Sequence, residues 1–396
     1  MTRMFCRLAM ALVILWPLAG CRKPTPRTPA SREGVATSSA PSGGQINVGV
    51  NLPLSGALAP LGRSTLEGVR LRVDRINKAG GIAGRKIALV VEDNRGEKAD
   101  SRSALKKLAE IDGVVAVIGP ITSTNTFAAK IDAEEYHVPL ISPTATNDHV
   151  TDNAHYVFRA CFNDSFQGTV IATYAYKHLG VRKAAVMTDN NSDYSKGLSA
   201  NFAKAMEAEG GVMAAREGYQ QKDTDFGTQL IRIKNSGAEI IFVPGYPPEL
   251  PLIIKQAKVV GFPGRLCGAD GWDNDAVINN SGDNIEGCVI VGAFSPEDDR
   301  PMVKEFLADA KAAYGRTPGT FEALGYDSVV LLSKAMDKGA GRQEIADGLH
   351  GLKDVEGVSG RITITPRGDA VKSAVVLKIA KEGDRYGAKY VTSIAP

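Results

Sequence analysis

Apolar residues recur along this chain with two periods that alternate. Residues 46–50 form a short apolar run that predicts a strand, and Leu66, Val69, Val73 and Ile76 then follow at the spacing of one helix face. Strand and helix patterns alternate up to residue 142 and restart after a short extended piece at 156–159. Each half therefore predicts a parallel, doubly wound α/β sheet.

The second half ends differently from the first. After predicted strands up to residue 291, a mainly helical segment runs to residue 349, and strands return at 360–365, 374–380 and 386–392. About 350 residues exceed what one hydrophobic core usually holds, so we expect two lobes. Ligands of such sheets bind outside the carboxyl ends of the strands, and we expect a cleft between the lobes there.

The first 44 residues have a different composition. A basic start and an apolar run at 8–18 predict a secretory signal peptide over residues 1–20, because a membrane span needs roughly 20 apolar residues. Leu18-Ala-Gly-Cys21 resembles the bacterial lipobox, which implies cleavage before Cys21 and lipidation of its sulfur. The alternative is an ordinary secretory signal with a chance cysteine.

Residues 21–44 are rich in Pro, Ser and Thr, and they predict a lipidated cysteine followed by a disordered linker. We therefore expect a protein that is secreted across the inner membrane. It would be held at the membrane only by its lipid anchor and would face the periplasm or the cell exterior.

The composition argues against several classes of function. A net charge of +3 gives no electrostatic footprint for nucleic acid. The five histidines are scattered and there is no Cys-x-x-Cys, so we expect no metal and no cofactor. Hydrolase, P-loop and zinc-protease motifs are absent from the sequence, which predicts that the chain is not an enzyme. Whether Cys267 and Cys288 form a disulfide stays undecided, because sequence cannot supply the geometry of the bond.

Seven short motifs follow one another along the chain. They are INVGVNLPLSG at 46–56, NKAGGIAG at 77–84, VIGP at 117–120, SPTAT at 142–146, GY at 245–246, GADGW at 268–272 and GVSGRITITPRGD at 357–369. In order and spacing they resemble the leucine/isoleucine/valine-binding family, the substrate-binding proteins of hydrophobic amino-acid ABC importers. The resemblance covers about residues 45–380.

The resemblance implies the type I periplasmic binding protein fold, in which two Rossmann-like lobes are joined by a three-segment hinge. Lobe 1 would comprise residues 45–158 and 294–358, and lobe 2 residues 160–292 and 362–396. The three crossovers would lie near 158–161, 291–294 and 358–362.

The resemblance also implies that lobe 1 grips the α-carboxylate and α-ammonium of the ligand through Ser123, Thr144 and Thr146. Ser123 lies before a predicted helix, whose N–H groups attract a carboxylate. The Thr146 hydroxyl and the Thr144 carbonyl are acceptors for an ammonium. N-capping by Ser123 and turn formation by the two threonines are the structural alternatives.

Lobe 2 would close over the ligand. Tyr194 and Tyr246 match aromatic lid positions in the family, and Asp270 matches an acidic residue that pairs with the ammonium. The alternatives are amphipathic surface tyrosines and an Asx turn before Gly271.

The remaining implied contacts concern the side chain of the ligand. Leu61 stands where leucine-binding members carry an aromatic residue. This difference leaves undecided which ligand side chain the site prefers. Ile121 and Thr122 precede Ser123 in the expected site, and Phe321 fits either an apolar ligand contact or a core residue. Thr122 and Arg95 replace cysteines that form a disulfide in the best-known members.

Two functions stay open at this point. The first is an extracytoplasmic lipoprotein that captures an amino acid, aliphatic or branched, and delivers it as a monomer to ABC transporter permease subunits. The second is a sensor or binding protein of the same fold for an amide, an aromatic acid or another small metabolite.

Overall fold

The computed structural model describes residues 44–396. The signal peptide at 1–20, Cys21 and nearly all of the linker lie outside the described residues. Among residues 44–396, no helix is both long and apolar enough to cross a membrane.

The first lobe begins with a five-stranded parallel sheet and three helices. Its strands are β1 (Ile46–Leu52), β2 (Ile87–Asp93), β3 (Ala116–Ile118), β4 (Leu140–Ser142) and β5 (Val157–Arg159), and its helices are α1 (Ala59–Lys78), α2 (Lys98–Glu110) and α3 (Ser123–Glu135). The strand order is β2-β1-β3-β4-β5. The order reverses direction at β1, as in a doubly wound sheet, so α1 and α3 both begin at the carboxyl edge.

The second lobe repeats the alternation. Its elements are α4 (Asp164–Lys177), β6 (Lys183–Asp189), α5 (Asp193–Ala208), β7 (Val212–Tyr219), α6 (Gly227–Asn235), β8 (Ile240–Phe242), α7 (Glu249–Val259), β9 (Arg265–Gly268), α8 (Asp275–Ser281) and β10 (Val289–Gly292). Short 3₁₀ helices lie at Asp270–Trp272 and Gly282–Ile285.

The chain then returns to the first lobe before it ends in the second. The returning elements are α9 (Pro301–Tyr314), α10 (Thr320–Ala335), a 3₁₀ helix at Met336–Lys338, α11 (Arg342–His350), β11 (Val355–Gly357), β12 (Gly360–Ile364) and β13 (Ala370–Val371). The last two strands are β14 (Ala374–Glu382) and β15 (Arg385–Ile394). They complete a seven-stranded sheet of order β15-β14-β10-β9-β8-β6-β7, in which β14 runs antiparallel to its neighbours β10 and β15. The predicted pair of doubly wound α/β lobes is confirmed.

The first two passages between the lobes are marked by a change of hydrophobic core. Ala160 is buried in the core of the first lobe, and Cys161 in that of the second. Ala293 is buried in the second lobe, and Phe294 packs with helices of the first.

The third passage lies farther along the chain than the 358–362 that the resemblance implied. Strands β11, β12 and β13 form a separate antiparallel sheet, which buries Ile362, Ile364 and Ala370 in the core of the first lobe. Ala374 is the next residue buried in the second core. The crossover therefore falls between Val371 and Ala374, and the first lobe includes the hairpin that the expected boundary had divided.

The three described cysteines are buried free thiols. Cys267 and Cys288 lie on the neighbouring strand segments around β9 and β10, but Cys267 belongs to one hydrophobic cluster and Cys288 to another. Because successive side chains alternate between the faces of a sheet, these two thiols lie on opposite faces. This placement leaves no disulfide between them.

Candidate ligand-binding site

The N-terminus of α3 lies at the carboxyl edge of the first sheet. Thr122 is the N-cap, and its hydroxyl accepts a hydrogen bond from the Asn125 N–H at 3.3 Å. Ser123 is the first helical residue and is fully buried, and its hydroxyl accepts from the Asn147 N–H at 3.1 Å. The capping considered for Ser123 is thus supplied by Thr122. Ser123 is left at the positive end of the helix, where a carboxylate is favoured.

Thr144 and Thr146 follow β4 and differ in their hydroxyl groups. The Thr144 hydroxyl donates to the Ile121 carbonyl at 2.7 Å and so joins the two loops of the site. The Thr146 hydroxyl is buried and has no hydrogen-bond partner within residues 44–396. A buried polar group without a partner costs about 1–3 kcal/mol, so this hydroxyl is suited to a ligand.

Arg159 holds the loop that carries Thr146. This guanidinium is completely buried at the end of β5, and its Nε donates to the Asp369 carboxylate at 2.8 Å. Its Nη1 donates to the carbonyls of Ala145, Thr146 and Asn147 at 3.2, 2.8 and 2.9 Å. Sequence reasoning missed this role, because an arginine at a strand end has no local pattern that shows what it will bind.

Tyr194, Tyr246 and Asp270 come together in the second lobe. The two tyrosine rings stack with centroids 4.9 Å apart, and the Tyr194 hydroxyl donates to Asp270 Oδ1 at 2.9 Å. Tyr194 and Asp270 are buried, and Tyr246 is half-buried and packs against the cores of both lobes. Burial raises the pKa of Asp270 to about 6, although the hydrogen bond from Tyr194 and the nearby side-chain amide of Gln167 act against that rise. Burial also raises the pKa of Tyr194.

Two neighbours position Asp270. Its backbone N–H donates to Gln167 Oε1 at 3.0 Å, which ties the end of β9 to the first turn of α4. A Cβ at Gly271 would lie 2.4 Å from the Gly245 carbonyl oxygen, so only glycine allows this turn to pack against the loop of Tyr246. Asp270 therefore opens a short 3₁₀ helix, with its carboxylate directed at Tyr194.

Asp164 is a buried carboxylate that sequence reasoning missed. It is the first residue of α4, and neither carboxylate oxygen has a hydrogen-bond partner in the described chain. Burial raises its pKa well above the usual value, and the charges of Asp270 and Asp148 add to that rise. Arg159 and the nearby Thr146 hydroxyl favour the charged form. From sequence, an acid in the first turn of a helix indicates only a favourable helix dipole.

The residues expected around the ligand side chain divide into two groups. Leu61, Ile121 and Phe321 are buried in the hydrophobic core of the first lobe. Thr122 and Tyr246 line a cavity of about 700 Å³ between the lobes. The apolar wall of this cavity is formed by Ala57, Leu58, Tyr246, Pro247 and Pro248. Leu58 belongs to the turn before α1, and sequence reasoning did not single it out.

Direct hydrogen bonds join the lobes beside this site. The Thr124 hydroxyl at the start of α3 accepts from the Asp193 N–H at 2.9 Å and donates to Asp193 Oδ2 at 3.1 Å. The Asn147 side chain donates to the Asp193 carbonyl at 2.9 Å. The lobes are thus in contact, which explains why Ser123, Thr146 and Tyr194 are all buried.

The site therefore has two chemically different ends. Helix N–H groups and the Ser123 hydroxyl at the start of α3 suit an anion, whereas Asp164, Asp270 and the Thr146 hydroxyl suit a cation with several N–H donors. Within residues 44–396, no group of three or more His, Cys, Asp or Glu side chains is placed to hold a metal ion.

Comparison with known proteins agrees with this geometry. A model of the periplasmic binding protein family matches residues 45–384. A Leu/Ile/Val-binding protein homologue from Brucella melitensis is 29% identical over 329 residues, which cover 82% of this chain and 88% of that protein.

Solved structures extend the match to the whole fold. A leucine-binding protein from Thermotoga maritima superposes with a TM-score of 0.83 at 33% identity, covering 89% of this chain and 99% of that one. A branched-chain amino acid substrate-binding protein from Streptococcus pneumoniae, solved with isoleucine, gives 0.82 at 35% identity, covering 88% and 99%. The chain belongs to the leucine/isoleucine/valine-binding family of periplasmic binding proteins and has their type I fold.

Proposed function

We propose that this protein captures an α-amino acid with an aliphatic, branched side chain between its lobes and delivers it to the permease of an ABC importer. The observation that carries the proposal is the pair of opposite polar ends in one buried cleft. Ser123 at the N-terminus of α3 would receive the α-carboxylate. Asp270 and the unpartnered Thr146 hydroxyl would receive the α-ammonium.

One part of the cavity wall beside these polar groups is apolar and supports an aliphatic side chain, whereas Arg95, Lys98 and Glu249 are among the charged residues that line the rest. Ala57, Leu58, Pro247 and Pro248 form the apolar part together with the ring of Tyr246. Burial of aliphatic groups against such a wall is favourable by about 0.8 kcal/mol for each CH₂. Leu61 and Phe321 are buried in the core of the first lobe, and they stay predicted contacts of the ligand side chain.

An aromatic acid or a simple amide, the alternative ligands, fits the polar end less well. Neither carries an ammonium, so Asp270 would stay buried without a cation. A buried charge without a partner costs several kcal/mol. We therefore favour an amino acid over these ligands.

A thermal-shift panel tests the proposal. The panel contains the twenty amino acids, their amides and several aromatic acids, each added to protein freed of ligand by unfolding and refolding. A ligand at 100 times its Kd stabilises the folded state by about 2.7 kcal/mol, which gives a clear shift. We expect the largest shifts with leucine, isoleucine and valine. Shifts only with aromatic acids or amides would support the alternative.

The family places this protein outside the cytoplasm, and we propose that a lipid on Cys21 holds it at the membrane as a monomer. The lipobox-like residues 18–21 and the polar linker after them support this anchor. Cys21→Ala is expected to leave an unprocessed precursor, because lipidation of the sulfur precedes cleavage. Intact-mass spectrometry of protein from its native host checks this directly. A free thiol on Cys21 in the mature protein would contradict the anchor.

A further inference from the structure

Unpartnered buried polar atoms cluster at one place in this molecule. Eight buried side-chain atoms of the described residues have no hydrogen bond, and those of Asp112, Arg159 and Glu322 lie in ion pairs. Of the five that remain, four belong to Asp164, Thr146 and Gln167. These are both carboxylate oxygens of Asp164, the hydroxyl of Thr146 and the amide nitrogen of Gln167.

The three residues belong to one constellation. The Asp164 N–H donates to the Thr146 carbonyl at 2.8 Å, and Gln167 lies three residues later on the same face of α4. Gln167 also holds the backbone of Asp270. The charge of Asp270 contributes to the raised pKa of Asp164, and the charges of both carboxylates contribute to the raised pKa of Tyr194 and of Tyr246. Two buried acids therefore flank the same space.

Nothing among the neighbouring side chains neutralises Asp164. Arg159 is the cation that acts on it most strongly, but this guanidinium already pairs with Asp369 at 2.5 Å and donates to three carbonyls. The charged form of a buried carboxylate without a cation and without hydrogen bonds costs several kcal/mol, which is why burial raises the pKa of Asp164 and why a bound cation would favour its charged form. The space between Asp164, Thr146 and Asp270 is therefore complementary to a small cation with several N–H donors.

The hydrogen bond from the Asp164 N–H to the Thr146 carbonyl also holds Asp164 beside the first lobe when the lobes separate. Asp164 follows the first crossover at Ala160–Cys161 by only three residues, and its N–H is bound to the loop of the first lobe. Asp270, at the end of β9, lies far from any crossover in sequence. Asp164 therefore belongs to the part of the site that is present before closure.

We infer that Asp164 is a second ammonium-binding carboxylate, which together with the Thr146 hydroxyl accepts N–H groups of the ligand opposite Asp270. This inference rests on the proposed function and narrows it. The site takes ligands with a free primary α-ammonium, and it discriminates against 2-hydroxy acids and N-acylated amino acids of the same carbon skeleton.

Asp164→Asn tests the inference, because the amide keeps the shape of the side chain and removes its charge. We expect the affinity for L-leucine, measured by calorimetry, to fall roughly 30-fold or more, as for loss of one partner of a desolvated charge pair. The affinity for 2-hydroxy-4-methylpentanoate, measured by competition, is expected to change less than about threefold, since this ligand has no charge for Asp164 to bind. The preference for leucine over the hydroxy acid therefore shrinks.

Controls separate this role from a structural one. Asp347→Asn removes an exposed acid on α11, far from the cleft, and is expected to leave both affinities unchanged. Because the Asp164 carboxylate has no hydrogen-bond partner in the described chain, Asp164→Asn is expected to unfold at no lower temperature than wild type without ligand. Asp164→Ser, a smaller uncharged variant, is expected to show the same selective loss.

The outcomes also separate this inference from the proposed function. Equal leucine affinity in wild type and Asp164→Asn overturns the role of Asp164 and leaves the amino-acid function intact. A parallel loss for leucine and the hydroxy acid shows a structural role and likewise overturns it. If wild-type protein binds no amino acid, both the proposed function and the inference are wrong.

Discussion

Asp270→Ala is expected to weaken binding of L-leucine by roughly a hundredfold or more. The Asp270 carboxylate is buried, and Tyr194 and Gln167 position it where the ammonium of the ligand would lie. Removal of this acceptor would leave the ammonium desolvated with only part of its charge offset. Calorimetric titration of the refolded protein measures the loss. The leucine affinity of Asp270→Asn is expected to lie between those of wild type and Asp270→Ala. Leucine binding as tight as in wild type would show that the ammonium is held elsewhere.

The same carboxylate predicts how binding depends on pH. Its pKa of about 6 in the protein without ligand lies above the unfolded value, so its contribution to folding stability decreases as pH rises from about 4 through 6. Ligand affinity changes with pH in the opposite direction to this stability contribution and increases as pH rises, because an ammonium favours the charged carboxylate. The groups that face it are Tyr194 on α5, Tyr246, and Asp164 and Gln167 on α4. Leucine affinity should therefore fall between pH 7 and 5, and less steeply in Asp270→Asn, where Asp164 still titrates.

Arg159→Met is expected to lower the free energy of unfolding by about 3–5 kcal/mol. The substitution leaves Asp369 with only the more exposed Arg367, 3.4 Å away, as a cation, and it removes the donor that binds three consecutive carbonyls of the Thr146 loop. Urea denaturation measures the change. Arg361→Met is the matched control, because Arg361 forms an exposed ion pair with Asp354 that contributes at most about 1 kcal/mol. Equal stability of the two variants would contradict the role of Arg159.

The repeated α/β pattern was enough to predict two lobes, because buried parallel strands and amphipathic helices have distinct periods. It did not place the third crossover. Residues 360–371 form short strands, and their alternation of apolar and polar residues would be the same against either core. Only the pairing of β11, β12 and β13 assigns them to the first lobe. Crossovers depend on contacts between distant segments, which local patterns do not contain.

The candidate site was predictable where residues follow strand ends within a motif. Ser123, Thr146 and Asp270 lie where parallel strands end, and the structure brings them to one cleft. Asp164 and Arg159 were not predictable, since their importance depends on the absence or presence of distant partners. The roles of Leu61 and Phe321 stay predictions, because a buried apolar residue in a helix is equally compatible with a core and with a pocket wall.

Calorimetric titration of branched-chain amino acids into refolded wild-type protein tests the central claim most directly. We expect one site per chain for L-leucine, L-isoleucine or L-valine, with a Kd of about 1 μM or tighter, corresponding to about −8.2 kcal/mol. The same titration with 2-hydroxy-4-methylpentanoate is expected to give far weaker binding, because that ligand offers no charge to Asp164 and Asp270. Absence of binding for all three amino acids, or equal binding of the hydroxy acid, would contradict the claim that this cleft captures an α-amino acid.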